Sequence, residues 1–176
     1  MTESEKGLLM VLTGNGKGKT TSALGQAIRA AGHGMRVCFI QFIKGAWKSG
    51  EMEAMKRFED LIEFRVMGRG FTWQSDDLKK DREAAAEAWQ VAKDAISSGK
   101  YSLVVLDEFT YVLNYGMIEA QEALAVFEAR PPGTHVLVTG RDANEKLVET
   151  ADLVTWMKEI KHPYQKGGSA RKGMEF

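Results

Sequence analysis

With 176 residues, 44% of them hydrophobic, the chain fits one domain with a full core. Its 24 basic and 24 acidic residues cancel, which excludes a global pull toward nucleic acid or an anionic membrane; any anion site has to be local. The single cysteine, Cys38, excludes an internal disulfide and a cysteine-rich metal centre, and the absence of a long apolar run or signal-peptide pattern reads as a soluble, cytoplasmic protein.

Residues 1–7 are polar and are expected to be loose. Leu8 to Leu12 is a continuous apolar run, as a buried parallel strand would be. It leads into Thr13-Gly14-Asn15-Gly16-Lys17-Gly18-Lys19-Thr20-Thr21, and a helical pattern follows from Lys19 to Ala31. Strand, glycine loop and helix are the setting of a phosphate-binding loop. Three glycines let the backbone curl so that amide N–H groups point inward, and the positive end of the helix completes a concave anion site. Lys19 is placed to reach the terminal phosphates. Thr20 offers a hydroxyl to Mg2+, an ion that keeps most of its other ligands as water and phosphate. Thr13 stands where the strict pattern has glycine, so the loop is a variant.

The first helix is expected to stop at Gly32 in a left-handed cap. Arg36 to Ile43 reads as a second strand, with Cys38 as a buried small hydrophobe. A loop from Lys44 to Gly50, containing Trp47, precedes a short helix over Glu51 to Phe58 and a strand over Leu61 to Met67. The segment Met67-Gly68-Arg69-Gly70-Phe71-Thr72-Trp73 then places two aromatics between elements, and locally Phe71 and Trp73 read as loop residues tucked into the core. Ser75 or Asp76 is expected to cap a long helix to about Ser98, with Trp89 on its apolar side and Gly99 ending it.

Ser102 to Leu106 is another continuous apolar run, followed at once by Asp107-Glu108. A strand ending in an acidic pair, in the same chain as Lys19 and Thr20, suits the ordering of Mg2+ or its waters beside a phosphate loop. The same pair would also serve as a helix cap. Short helices are expected over Phe109 to Tyr115 and Ile118 to Ala129, then a turn at Pro131-Pro132-Gly133 and a buried strand over His135 to Thr139. Arg141 falls just past that strand's carboxyl end, where ligands collect in open α/β sheets. A helix over Glu145 to Thr150 and a strand over Leu153 to Met157 complete the pattern. The basic tail from Lys158 to Phe176 is expected either to be mobile or to close over a bound anion. His33, His135 and His162 lack ligand spacing in the sequence.

Alternating strands and helices, with most strands apolar on both sides, predict an α/β chain with one domain over residues 1–176. The expected architecture is a P-loop (RecA-like) fold with a mostly parallel central sheet and helices on both faces. The glycine loop and the acidic pair then fall on the same edge of the sheet.

With these residues in place, the chain resembles the P-loop family of ATP:corrinoid adenosyltransferases. The resemblance runs nearly the whole length. It rests on the loop from Thr13 to Thr21, on Arg29-Ala30-Ala31-Gly32-His33-Gly34, Gln41-Phe42-Ile43-Lys44-Gly45, Met67 to Trp73, Val105-Leu106-Asp107-Glu108, Thr139-Gly140-Arg141 and Lys161-His162. The threonine at the first loop position is itself a feature of that family. Many members carry a longer N-terminal extension; here twelve residues, Met1 to Leu12, precede the loop.

The resemblance implies attack by a cobalt(I) corrinoid, cob(I)alamin or a cob(I)yrinic acid a,c-diamide, on the 5′ carbon of ATP, with triphosphate expelled. It implies that ATP lies reversed in the loop, with Gly14, Asn15, Gly16, Lys17, Gly18, Lys19, Thr20, Thr21, Arg29 and Arg141 as nucleotide contacts and Lys19 also catalytic. Mg2+ is then expected on Thr20, Glu108 and Asp107. The resemblance gives Phe71 and Trp73 a catalytic role, displacing the lower axial ligand of cobalt to ease its reduction. It also implies a reduced flavin or flavoprotein as electron donor and a homodimer, with neither nucleic acid nor membrane as partner. Two other readings stay open on the residues alone: a P-loop kinase or ATPase acting at the terminal phosphate, and a non-catalytic nucleotide-dependent corrinoid-binding protein.

Overall fold

Successive strand residues point to opposite faces, and here both faces are apolar. Cys38, Ile40, Val104, Leu106, Val136 and Val138 enter one core; Val37, Phe39, Leu103, Val105 and Leu137 enter another. A sheet of that kind must be covered on both sides. A computed structural model describes residues 6–43, 49–68 and 78–175 and shows how. The strands are β1 (Leu9–Thr13), β2 (Val37–Gln41), β3 (Ile62–Val66), β4 (Leu103–Asp107), β5 (His135–Thr139) and β6 (Leu153–Trp156). They form one sheet in the order β3-β2-β4-β5-β1-β6, and every pairing is parallel.

The helices are α1 (Lys19–Gly32), α2 (Gly50–Met55), α3 (Leu78–Ser97), α4 (Phe109–Asn114), α5 (Ala120–Glu128) and α6 (Glu145–Thr150). The α1 and α2 helices cover one face, through Ala23, Ala27, Ala30, Ala31 and Met55. The other four cover the opposite face, where Trp89 of α3 stacks on Phe109 at 5.1 Å between ring centres and meets Phe127 edge-on at 6.2 Å. The Trp89 indole N–H donates to Glu122 at 2.7 Å, so its polar atom is satisfied at the rim of the core. Cys38 is fully buried, and burial pushes its thiol up to about 12, as expected of a packing residue.

The strands and helices expected from the sequence are found among the described residues, within a residue or two at their ends, except that the helix expected over Glu51 to Phe58 stops at Met55 and continues as a 3-10 turn over Lys56–Phe58. One cap is corrected. The first helix runs through Gly32, and the left-handed residue is Gly34, at φ +74°, whose N–H bonds back to Ala31 O. Gly99 and Gly116 do take the left-handed conformation that ends their helices. The caps expected at Ser75 or Asp76, and Trp47, Phe71 and Trp73, lie outside the described residues.

The carboxyl ends of β1, β4 and β5 lie along one sheet edge, with β5 between the other two. Adjacent strands in a sheet are about 4.8 Å apart. The loop after β1, the acidic pair at the end of β4 and the turn after β5 are therefore brought side by side by topology alone.

Candidate active site

The chain leaves β1 and curls tightly. Gly14 sits at φ +96°, and a Cβ there would fall 2.4 Å from the Met157 carbonyl oxygen, so only glycine fits. Two hydrogen bonds hold the curl against the segment that follows β6: the Met157 N–H donates to Thr13 O and the Gly16 N–H donates to Met157 O, both at 2.7 Å. Gly18, also at positive φ, delivers the chain into α1. The Lys19 ammonium folds back over the loop and donates to the carbonyls of Gly14 at 2.6 Å and Gly16 at 2.8 Å. Burial, helped by the nearby Arg141 charge, lowers the Lys19 pKa, while Glu108, Asp107 and Asp142 oppose the shift. A cation held partly out of water beside a second cation is well prepared for a polyanion.

Thr13 proves to have a structural task. It is fully buried, and its Oγ1 accepts a hydrogen bond from the Ala143 N–H at 3.1 Å. That bond ties the glycine loop to the β5–α6 turn, which carries Arg141. The α4 helix holds the same turn: Thr110 Oγ1 donates to Arg141 O at 2.6 Å and Asn114 Nδ2 donates to Asp142 O at 3.0 Å. The approach is so close that a Cβ on Gly140, at φ +142°, would lie 2.0 Å from Thr110 Oγ1.

The acidic pair divides into two roles. Asp107 is fully buried at the end of β4; it accepts from Thr139 Oγ1 at 2.7 Å and from Gln41 Nε2 at 3.0 Å. Thr139 Oγ1 in turn accepts from the Glu108 N–H at 2.9 Å. Glu108 itself adopts the left-handed conformation, φ +63°, and makes no side-chain cap bond to α4. Asp107 thus braces the backbone from behind, and Glu108 is turned to the front.

The front is an open cleft of about 730 Å³. It is lined by the loop from Asn15 to Thr21, by Glu108 and Arg141, and by His162 and Tyr164 of the tail. Of the described residues expected at the site, Gly14, Asp107 and Arg29 do not line the cleft; Gly14 is buried under the loop it turns, and Arg29 sits exposed in the last turn of α1. Oxygen donors suited to Mg2+ remain at the cleft wall in Thr20 and Glu108, beside the cations that would hold phosphates. The sequence reading missed Met157, whose backbone bridges Thr13 and Gly16; an apolar residue at a strand end carries no signal of such a task.

Comparison with known proteins identifies the family. The family model described as ATP:corrinoid adenosyltransferase BtuR/CobO/CobP matches residues 5–176. The corrinoid adenosyltransferase of Pseudomonas aeruginosa is 46% identical over 172 residues, covering 98% of this chain and 85% of that protein. The corrinoid adenosyltransferase of Escherichia coli K12 is 38% identical over 174 residues, covering 99% of this chain and 88% of that protein. Among solved structures, the flagellar accessory protein FlaH of Methanocaldococcus jannaschii superposes with a TM-score of 0.57 at 9% identity, over 86% of this chain and 71% of that one, a likeness of fold alone. By its match over nearly all of its length, this chain belongs to the ATP:corrinoid adenosyltransferase family.

Proposed function

We propose that the cleft binds ATP with its triphosphate in the loop of residues 14–21, and that the chain transfers the 5′-deoxyadenosyl group to the cobalt(I) of a corrinoid in adenosylcobalamin synthesis or salvage. The observation that carries this reading is the convergence of the glycine loop, Arg141 and Glu108 on one cleft in a chain of this family. The cobalt supplies both electrons of the new cobalt–carbon bond. The bond from C5′ to the phosphate oxygen breaks, and its electron pair leaves on triphosphate. The leaving group is already an anion, so no general acid is needed. The protein has to hold C5′ toward the corrinoid and neutralise the departing charge.

The amides of residues 14–21, the Lys19 ammonium and the Arg141 guanidinium suit the second task. Mg2+ fits Thr20 and Glu108 and would supply further neutralisation at the phosphates. Asp107 acts on that site indirectly, through Thr139 and the Glu108 backbone. Lys17 and Thr21 are exposed beside the loop as outer contacts, and Arg29 is assigned to a nucleotide that extends along α1. Phe71 and Trp73 are assigned to the lower face of the corrinoid, where they would displace an axial ligand and ease reduction. A reduced flavin or flavoprotein as electron source, a homodimer and a cytoplasmic location complete the proposal. Among the described residues no helix is long and apolar enough to cross a membrane.

Anaerobic incubation with ATP, Mg2+ and chemically reduced cobalamin tests the reading. The absorbance spectrum is expected to become that of adenosylcobalamin. A corrinoid spectrum that never changes while ATP is consumed would overturn it.

A further inference from the structure

The tail after β6 does more than close the chain. It leaves Met157, the residue whose carbonyl accepts from the Gly16 N–H, and a Cβ on Gly16 would lie 2.9 Å from the Lys158 carbonyl carbon. The tail therefore starts in contact with the glycine loop. Further along, His162 and Tyr164 line the same cleft as Lys19 and Arg141. His162 precedes a short 3-10 turn over Pro163–Lys166, and its Nδ1 accepts a hydrogen bond from the Tyr164 N–H at 3.2 Å. A ring nitrogen that accepts carries no proton, so in the neutral ring the proton is on Nε2. The turn thus fixes the tautomer and leaves one N–H donor on a residue that lines the cleft.

We propose that His162 is an anion-binding residue of the transfer reaction, donating from Nε2 to a phosphate chain held in the glycine loop. A phosphate chain in the loop keeps oxygens that the loop amides do not reach, and the tail adds a donor to the same cleft. With Nδ1 committed to the turn, His162 offers its remaining donor from a fixed place. The inference rests on the reading of the cleft as the triphosphate site.

Binding of inorganic triphosphate, measured by calorimetry on the full chain with no corrinoid present, tests it. His162→Ala is expected to weaken triphosphate binding about tenfold, the loss of one hydrogen bond to a charged group. Two amides separate a donor from a mere cap. The Gln side chain reaches the place of Nε2, whereas Asn reaches only that of Nδ1 and is itself a good turn cap. His162→Gln is therefore expected to recover most of the affinity, and His162→Asn is not. Unchanged binding in His162→Ala, rescue by Asn, or rescue by neither amide would overturn the proposal. A wild-type chain that bound triphosphate but made ADP from ATP would instead sink the adenosyl-transfer reading and leave this one standing.

Discussion

Thr13 Oγ1 accepts a hydrogen bond from the Ala143 N–H, joining the phosphate loop to the turn that carries Arg141. Two walls of the cleft are thereby fixed to each other by one buried hydroxyl. Thr13→Val keeps the shape and removes the acceptor, leaving a partly buried N–H without a partner. A loss of about 1–3 kcal/mol in stability is expected from urea unfolding, the usual cost of an unsatisfied buried group. Thr13→Gly, which restores the generic loop pattern, is expected to lose the same bond and to raise KM for ATP; a KM no different from wild type would show that the tether does not position Arg141.

The division of labour in the acidic pair makes two substitutions differ in kind. Asp107→Ala strands the Thr139 and Gln41 donors in a fully buried place and is expected to cost about 2–5 kcal/mol of stability. Glu108→Gln changes only the group facing the cleft. It is expected to leave the melting temperature nearly unchanged while raising the Mg2+ concentration needed for half-maximal rate. Equal losses of stability in both variants would contradict the assignment.

Lys19 is bonded to the loop it serves, so its removal acts on both the loop and the phosphates. Lys19→Ala is expected to lower kcat about 10²-fold or more, on the scale of a lost transition-state donor. Steady-state rates of adenosylcobalamin formation check this, and an unchanged kcat would remove Lys19 from the chemistry.

Away from the site, Glu63 on β3 accepts from the Tyr101 hydroxyl and from Arg65, and its pKa is lowered to about 2, the Tyr101 bond being the largest cause. The unfolded value for a glutamate is about 4.3. Since the folded value is the lower one, the stabilisation is fully present above the unfolded value and is lost as pH falls toward 2. The side chain is 38% exposed, so solvent screening limits the effect to about 1 kcal/mol or less. Urea unfolding of wild type and Glu63→Gln is expected to show a gap at pH 7 that closes by about pH 2; a gap independent of pH would place the effect in packing instead.

Much of this arrangement was legible in the residues. Unbroken apolar runs such as Leu103–Leu106 announce strands covered on both faces, and the glycines, Lys19, Thr20 and the Asp107-Glu108 pair announce a phosphate site at one sheet edge. What pattern cannot convey is long-range partnership. Thr13 and Ala143 are 130 residues apart, and nothing in the Thr13 position reveals that its hydroxyl has a partner there. Asp107 and Glu108 are adjacent and chemically alike; only the strand end and the left-handed turn at Glu108 send one inward and the other to the cleft. The tail reads as a basic stretch with few apolar residues, yet its start is tied to the glycine loop by backbone bonds of Met157, which any residue but proline could make.

Adenosyl transfer breaks carbon–oxygen bonds and spares every phosphorus–oxygen bond of ATP. Phosphorus NMR of the products, taken from an anaerobic reaction with chemically reduced cobalamin, reads that distinction directly. Inorganic triphosphate in equal amount to adenosylcobalamin is the expected result; ADP with orthophosphate, and no intact triphosphate, would contradict it.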